Sequence, residues 1–118
     1  MSLRSFKDLT VWQKAEKLSL SVYKEFTTCR DYGFKDQIQR ASVSIMNNIA
    51  EGYGRRSDKA LCNFLAIARG SAAEVESMVL MAYQLRYIDE TTQNRLLIEI
   101  EEVAKLLTAF MNKVRVNS

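Results

Sequence analysis

The chain has 118 residues and a mass of 13.5 kDa, a length that predicts one domain over residues 1–118. Hydrophobic residues make up 47% and charged residues 26% of the sequence, which excludes a disordered chain. No apolar run approaches the roughly 18 residues of a membrane span, so we expect no membrane partner. Proline is absent and glycine occurs four times. Because turn-rich β folds depend on these residues, the composition predicts an all-α protein.

The formal net charge of +3 is too small to predict nucleic-acid binding by itself. Its distribution is uneven, because residues 1–71 hold 12 basic and 7 acidic residues, whereas residues 72–118 hold 5 and 7. The first of these two regions is therefore the candidate for contact with an acidic partner.

Apolar residues at three- and four-residue steps predict four helices. Their expected bounds are Asp8 (N-cap) to about Thr28, Phe34 to about Gly54, Ser57 or Asp58 (alternative N-caps) to about Tyr87, and Asp89 (N-cap) onward. Since the connections are short, the pattern favours an antiparallel up-down-up-down four-helix bundle.

The third helix has two apolar rows, each with the spacing of an interhelical contact. The first row is Leu61, Leu65, Ala68, Ala72, Val75, Val79 and Ala82. The second row is Phe64, Ile67, Ser71, Glu74, Met78, Met81, Leu85 and Ile88. Two interpretations stay open for the second row: part of it packs against another subunit, or the core is wide.

Polar residues interrupt the apolar faces of the second and third helices. Ser44, Asn48 and Glu51 form a stripe on the second helix, and Ser71 and Glu74 lie on the third. We expect these five residues to form a hydrogen-bonded structural network, which we favour over a ligand pocket.

The sequence contains no histidine, which removes the commonest general base and the Glu-x-x-His pairs of bundle metal sites. We therefore predict no catalytic, cofactor-binding or metal-binding residue, no cofactor, and no enzyme activity. Cys29 and Cys62 lack metal-binding spacing, and residues 1–10 show no signal-peptide pattern. Both cysteines are interpreted as structural thiols of a cytoplasmic protein.

Two groups of basic residues could follow a phosphate backbone. They are Lys7, Lys14 and Lys17 on the first helix, and Arg55, Arg56 and Lys59 at the turn between the second and third helices. Ordinary solvated side chains are the alternative for both groups. No aromatic residue is clearly placed among them for base stacking, so sequence-specific readout of single strands is not predicted.

Several motifs together resemble those of one protein family. They are Phe6-x-Asp8-Leu9-x-Val11-Trp12-Gln13-x-Ala15, Tyr32-Gly33, Gln37, Arg40-Ala41, Ser44-Ile45-x-x-Asn48-Ile49-Ala50-Glu51-Gly52 and Ala68-Arg69-Gly70-Ser71-x-x-Glu74. The chain resembles the 23S rRNA intervening-sequence proteins over about residues 6–111. It departs from them at 27–30, which lacks the usual Phe-Pro, and at Met46, where proline is common.

The resemblance implies an antiparallel four-helix bundle that assembles as a homopentameric ring, with an RNA-linked role and no catalytic residues. Similarity to accessory bundle proteins of diversity-generating retroelements also points to nucleic acid. Our first functional hypothesis is a non-enzymatic oligomer that binds structured RNA, more than DNA, through its basic residues. The alternative is a protein–protein interaction scaffold without a nucleic-acid role.

Overall fold

The structure is a computed structural model that describes residues 5–117, and within that range it contains helices and no strands. A 3-10 turn over Phe6–Asp8 precedes four helices: α1 (Thr10–Phe26), α2 (Tyr32–Tyr53), α3 (Asp58–Gln84) and α4 (Glu90–Val116). They pack into a bundle measuring 45 × 23 × 20 Å. The predicted all-α bundle is confirmed. Residues 1–4 and 118 of the expected domain lie outside the described residues.

Three helices begin at residues whose side chains cap free backbone N–H groups. Asp31 accepts from the N–H of Phe34 at 3.1 Å, which starts α2 two residues before the predicted position. The caps are Ser57 for α3 and Asp89 for α4, as predicted. Ser57 accepts a hydrogen bond from the N–H of Ala60 at 3.1 Å, and Asp89 accepts one from the N–H of Thr92 at 2.8 Å. Local side-chain chemistry therefore fixes the start of each of these helices.

The prediction that Asp8 caps the first helix is wrong. Asp8 ends the 3-10 turn, and α1 begins at Thr10 after Leu9, whose side chain makes no capping hydrogen bond. The predicted end at Thr28 is also late, because α1 stops at Phe26.

The third helix ends at Gln84, three residues before the predicted position. Arg86 adopts a left-handed φ of 64°, and the N–H of Tyr87 bonds to the carbonyl of Ala82 at 2.9 Å. This is the hydrogen bonding of a Schellman motif, which terminates a helix.

Neighbouring helices in the sequence are neighbours in the bundle, and α1 also packs against α4. The contacts of α2 and α3 run in opposite directions along the chain, because Gln37 meets Glu74 and Ser44 meets Ser71. Contacts of α1 and α4 do the same, since Lys14 meets Glu102 and Glu25 meets Arg95. These two helix pairs are therefore antiparallel.

The two apolar rows of α3 have different environments. Six of the seven residues in the first row are at most 1% exposed and lie in the core, and Leu61 is partly buried. In the second row Ile67 and Met81 are each 52% exposed and Leu85 is 39% exposed, whereas Ile88 is buried. The wide-core interpretation is therefore wrong for these three exposed residues, which lie on the outer surface of the bundle.

The helices α2 and α3 pack closely at Gly52, which is buried. A Cβ atom at this position would lie 2.7 Å from Cβ of Phe64 and 3.2 Å from Cδ1 of Leu61. The leucine methyl group could rotate away, but Cβ of Phe64 is fixed to the α3 backbone. Glycine therefore allows the two helices to pack closely just before the turn that connects them.

We expect Gly52→Ala to destabilise the bundle by about 1–3 kcal/mol, because α3 must shift to relieve the contact with Phe64. Urea unfolding followed by circular dichroism measures the change. Gly33→Ala is the matched control, since the nearest atom to its added Cβ would be 4.0 Å away. Equal stability of the two variants would contradict this account of Gly52.

A hydrogen bond joins the two turns at the end of the bundle opposite Gly52. The hydroxyl of Tyr87 donates to Oδ2 of Asp31 at 2.7 Å. This bond, followed by the bond from the N–H of Phe34, lowers the pKa of Asp31 below its ordinary 3.8. The same bond, with a smaller contribution from burial, raises the pKa of Tyr87 above 10.0.

These pKa directions predict a stabilising contribution that is confined to intermediate pH. A lowered carboxylate pKa stabilises the fold above about pH 3.8, and this contribution is lost as pH falls through the folded-state value. A raised tyrosine pKa stabilises the fold below about pH 10, and this contribution is lost as pH rises through the folded-state value. Tyr87→Phe should therefore lower Tm near neutral pH but have little effect in acid below the Asp31 pKa.

Thermal unfolding across a pH series measures this difference. Tyr32→Phe is the control, because its exposed hydroxyl has no hydrogen bond in the structure, and we expect it to match the wild type throughout. A Tyr87→Phe deficit of the same size in acid as at neutral pH would show that the bond to Asp31 does not cause it.

Candidate nucleic-acid interface

One end of the bundle brings together the starts of α1 and α3 and the ends of α2 and α4. A groove at this end is lined by residues of all four helices and the residue before α1: Leu9, Thr10, Val11, Tyr53, Asp58, Leu106, Ala109, Phe110, Lys113, Val114 and Asn117. We call residues 5–8, 51–59 and 113–117 the basic end. It is formed by three segments that are far apart in the sequence.

The basic end has six exposed cationic side chains: Lys7, Arg55, Arg56, Lys59, Lys113 and Arg115. It has three acidic residues: Asp8, Glu51 and Asp58. Its excess of three positive charges equals the net charge of the whole chain. The remaining charges of the sequence therefore balance, and the positive field is concentrated at this end.

The opposite end of the bundle has no such excess. Residues 29–36 and 84–90 contain three basic and four acidic residues. Several of the acidic ones are occupied in holding the fold, as Asp31 and Asp89 cap helices. The two ends of the bundle therefore differ in the sign of their charge.

The structure divides the predicted basic residues. Lys7, Arg55, Arg56 and Lys59 lie at the basic end. Lys14 instead lies beside α4, where its Nζ is 3.4 Å from Oε1 of Glu102. Lys17 is exposed two turns into α1, away from the basic end. The two predicted groups therefore do not form one continuous patch.

Arg55 differs from the other cations of the basic end in being held by neighbours. Its Nη2 is 3.4 Å from Oε2 of Glu51, and its guanidinium lies 4.9 Å from the centre of the Phe64 ring. Such a cation–π contact restrains the side chain. Arg56 and Lys59 are exposed and make no ion pair within residues 5–117. They are therefore less restrained than Arg55.

Sequence reasoning missed Lys113 and Arg115 as part of the interface. Their region, residues 72–118, is acidic overall, so a count along the chain hides them. The predicted antiparallel bundle could have identified them, because it places the end of α4 beside the start of α1. The same arrangement brings Phe110 of α4 to the groove, where Tyr53 at the end of α2 also lies, although no aromatic was clearly expected among the cations.

The predicted polar network is only partly assembled. The hydroxyls of Ser44 and Ser71 lie 2.9 Å apart, and Nδ2 of Asn48 donates to the carbonyl and hydroxyl of Ser44 at 2.8 and 3.0 Å. Glu74 accepts separately from Gln37 at 3.2 Å. Glu51 lies outside the network and pairs with Arg55. The five predicted residues therefore take part in separate contacts and do not form one network.

A second polar contact, between α1 and α2, was not predicted. The hydroxyls of Ser19 and Ser42 lie 3.1 Å apart in the core, and Ser42 also donates to the carbonyl of Gln39 at 2.8 Å. Within the described part of the chain every buried side-chain nitrogen and oxygen has a partner. The polar groups of the interior are therefore satisfied within the fold and leave no prepared ligand pocket there.

Within residues 5–117, no group of three or more Cys, Asp or Glu residues could hold a metal ion. Cys29 and Cys62 are free and partly buried. In the same range, none of the helices is both long and apolar enough to span a bilayer.

Comparisons with known proteins extend these observations. A crystal structure of a protein with unknown function from the S23 ribosomal protein family of Bacteroides thetaiotaomicron VPI-5482 has the same fold. Its TM-score is 0.81 at 24% identity, over 86% of this chain and 98% of that one. No curated protein matches the chain.

The family model for 23S rRNA-intervening sequence proteins matches residues 7–109, which include α1, α2, α3 and most of α4. Neither this family description nor that of the structural neighbour names an enzyme activity. The chain belongs to the family of 23S rRNA-intervening sequence proteins.

Proposed function

We propose that the protein is a non-enzymatic, cytoplasmic homo-oligomer that binds structured RNA through its basic end. The observation that carries this proposal is the convergence of six exposed cations from three separate segments on one end of the bundle. Lysine and arginine side chains bind phosphate groups and release counterions from the nucleic acid, which supplies affinity without base readout. The family's printed connection with 23S rRNA favours RNA over DNA.

The shape of the basic end suits a folded RNA. Its cations lie on a bundle end and on the short turn at residues 54–57, so their spacing is restrained by helix packing. Double-stranded RNA is recognised mainly through its phosphates and its shape. Arg55, restrained by Phe64 and Glu51, fixes one contact, whereas Arg56 and Lys59 are free to adjust to the phosphate backbone.

Reversal of two basic-end charges tests this proposal. Arg56→Glu/Lys59→Glu should weaken binding to a structured 23S rRNA hairpin and lower the slope of log K against log salt by about 1–2. Fluorescence anisotropy between about 50 and 200 mM salt measures both quantities. Lys24→Glu/Arg30→Glu, near the opposite end, is the control because it changes the net charge equally.

Equal loss of binding in both double variants would show that only net charge matters and would contradict a basic-end interface. Absence of binding by the wild-type protein at low salt would contradict a nucleic-acid function. That result would favour the second candidate, a protein interaction scaffold, which the exposed apolar residues of α3 support.

Those residues form the surface that we assign to self-association. Ile67, Met81 and Leu85 share one side of α3 and are between 39% and 52% exposed. Residues 67–85 include three charged side chains, Arg69, Glu74 and Glu76. Depletion of charge around exposed apolar side chains is typical of a protein interface and unsuited to RNA. A cyclic homopentamer, the assembly that the family resemblance implies, would cover this face with a second copy.

We expect light scattering coupled to gel filtration to give a wild-type mass of five times the 13.5 kDa of the chain. Ile67→Glu/Met81→Glu should reduce the mass to that of the monomer, because it places charges in an apolar contact. Ile98→Glu on α4 is the control, since Ile98 is 70% exposed but outside the α3 face. A monomeric wild type, or an unchanged mass for the double variant, would contradict this assignment.

A further inference from the structure

The groove at the basic end has a volume of about 510 Å³, within the range of small-molecule sites. Most of its lining is apolar, contributed by Leu9, Val11, Leu106, Phe110 and Val114. It is open to solvent, and Ala109 at its edge is exposed. An apolar groove of this kind can bind a flat ring, but a phosphate group would lose its hydration against the apolar lining.

The cations of the basic end border this groove. Lys113 is part of its lining, and Lys59 directly follows the lining residue Asp58. Arg55 is two residues beyond Tyr53, and Lys7 is two residues before Leu9. The groove therefore lies at the end of the bundle where the positive charge is in excess, and Lys113 places one cation directly in its lining. A ligand that matches both properties combines an apolar planar group with an anionic chain.

We propose that the groove binds one unpaired nucleobase of a structured RNA while the surrounding cations contact the adjoining phosphates. This inference rests on the proposed function, and it names the RNA class as a helix with a bulged or looped-out base. Proteins commonly recognise such bases by stacking them on aromatic or apolar side chains. Phe110 of α4 and Tyr53 of α2 supply the aromatic part of the groove lining.

The polar groups of the groove also suit a base rather than a phosphate. Thr10 and Asn117 provide hydrogen-bonding groups that can meet the edge of a base. The Asp58 carboxylate repels phosphate from the groove, while Lys113 and Lys59 attract phosphate to its border. The base is thereby directed into the groove and the phosphate to its border.

Two synthetic RNA hairpins test the inference: one with a single bulged 2-aminopurine, and one fully paired with the same stem. We expect the wild-type protein to bind the bulged hairpin roughly tenfold more tightly, and the 2-aminopurine emission to change on binding. Ala109→Trp should abolish both effects, because the exposed position lets the indole fill the groove without disturbing the core. Asn94→Trp, exposed on the same helix near the other end, should behave as the wild type.

The outcomes separate this inference from the proposed function. Equal, salt-dependent affinity for both hairpins, lost in Arg56→Glu/Lys59→Glu, would overturn the base-binding groove and support the basic end. Full discrimination by Ala109→Trp would also overturn the groove. Failure to bind either hairpin at low salt would overturn both proposals.

Discussion

Close packing of α2 against α3 is the constraint on which the geometry of the basic end depends. Gly52 is buried against Phe64, so the two helices approach closely immediately before their connecting turn. Phe64 then serves a second purpose, because the guanidinium of Arg55 lies over its ring. Phe64 therefore contacts both Gly52, in the packing of α2 against α3, and Arg55, a cation of the basic end. The position of this cation and the packing of the two helices depend on the same aromatic side chain.

Much of the fold could be predicted from hydrophobic spacing and capping residues. The first apolar row of α3 is buried as its spacing indicated, and Ser57 and Asp89 cap the helices expected of them. The errors occur at helix ends. Asp8 has a side chain suited to capping, but it is the last residue of the 3-10 turn and does not cap α1. Arg86 follows α3 in a left-handed conformation that its residue type does not indicate. Residue preferences do not determine such local hydrogen-bond choices.

The candidate site was harder to predict because it is a property of three-dimensional arrangement. Arg55, Arg56 and Lys59 could be found as a cluster in the sequence, but Lys113 and Arg115 become part of it only through the return of α4. Lys14 shows the converse, since its position on α1 matched the other lysines while its side chain faces Glu102. Charge counted along the chain therefore identified four of the six cations of the basic end and included two lysines, Lys14 and Lys17, that lie outside it.

The two proposed surfaces differ in chemistry and in position, and this has a consequence for assembly. The exposed apolar residues of the α3 face, Ile67, Met81 and Leu85, are spread along the helix, whereas the cations are gathered at one end of the bundle. In a cyclic oligomer every copy has the same orientation relative to the symmetry axis, so all basic ends lie at one height along that axis. In the proposed assembly, contacts that are weak for one copy would act together on a single RNA, and their combined affinity would exceed that of any one end. A small excess of positive charge per chain would be sufficient for binding, because self-association would multiply it while helix packing keeps it in one place.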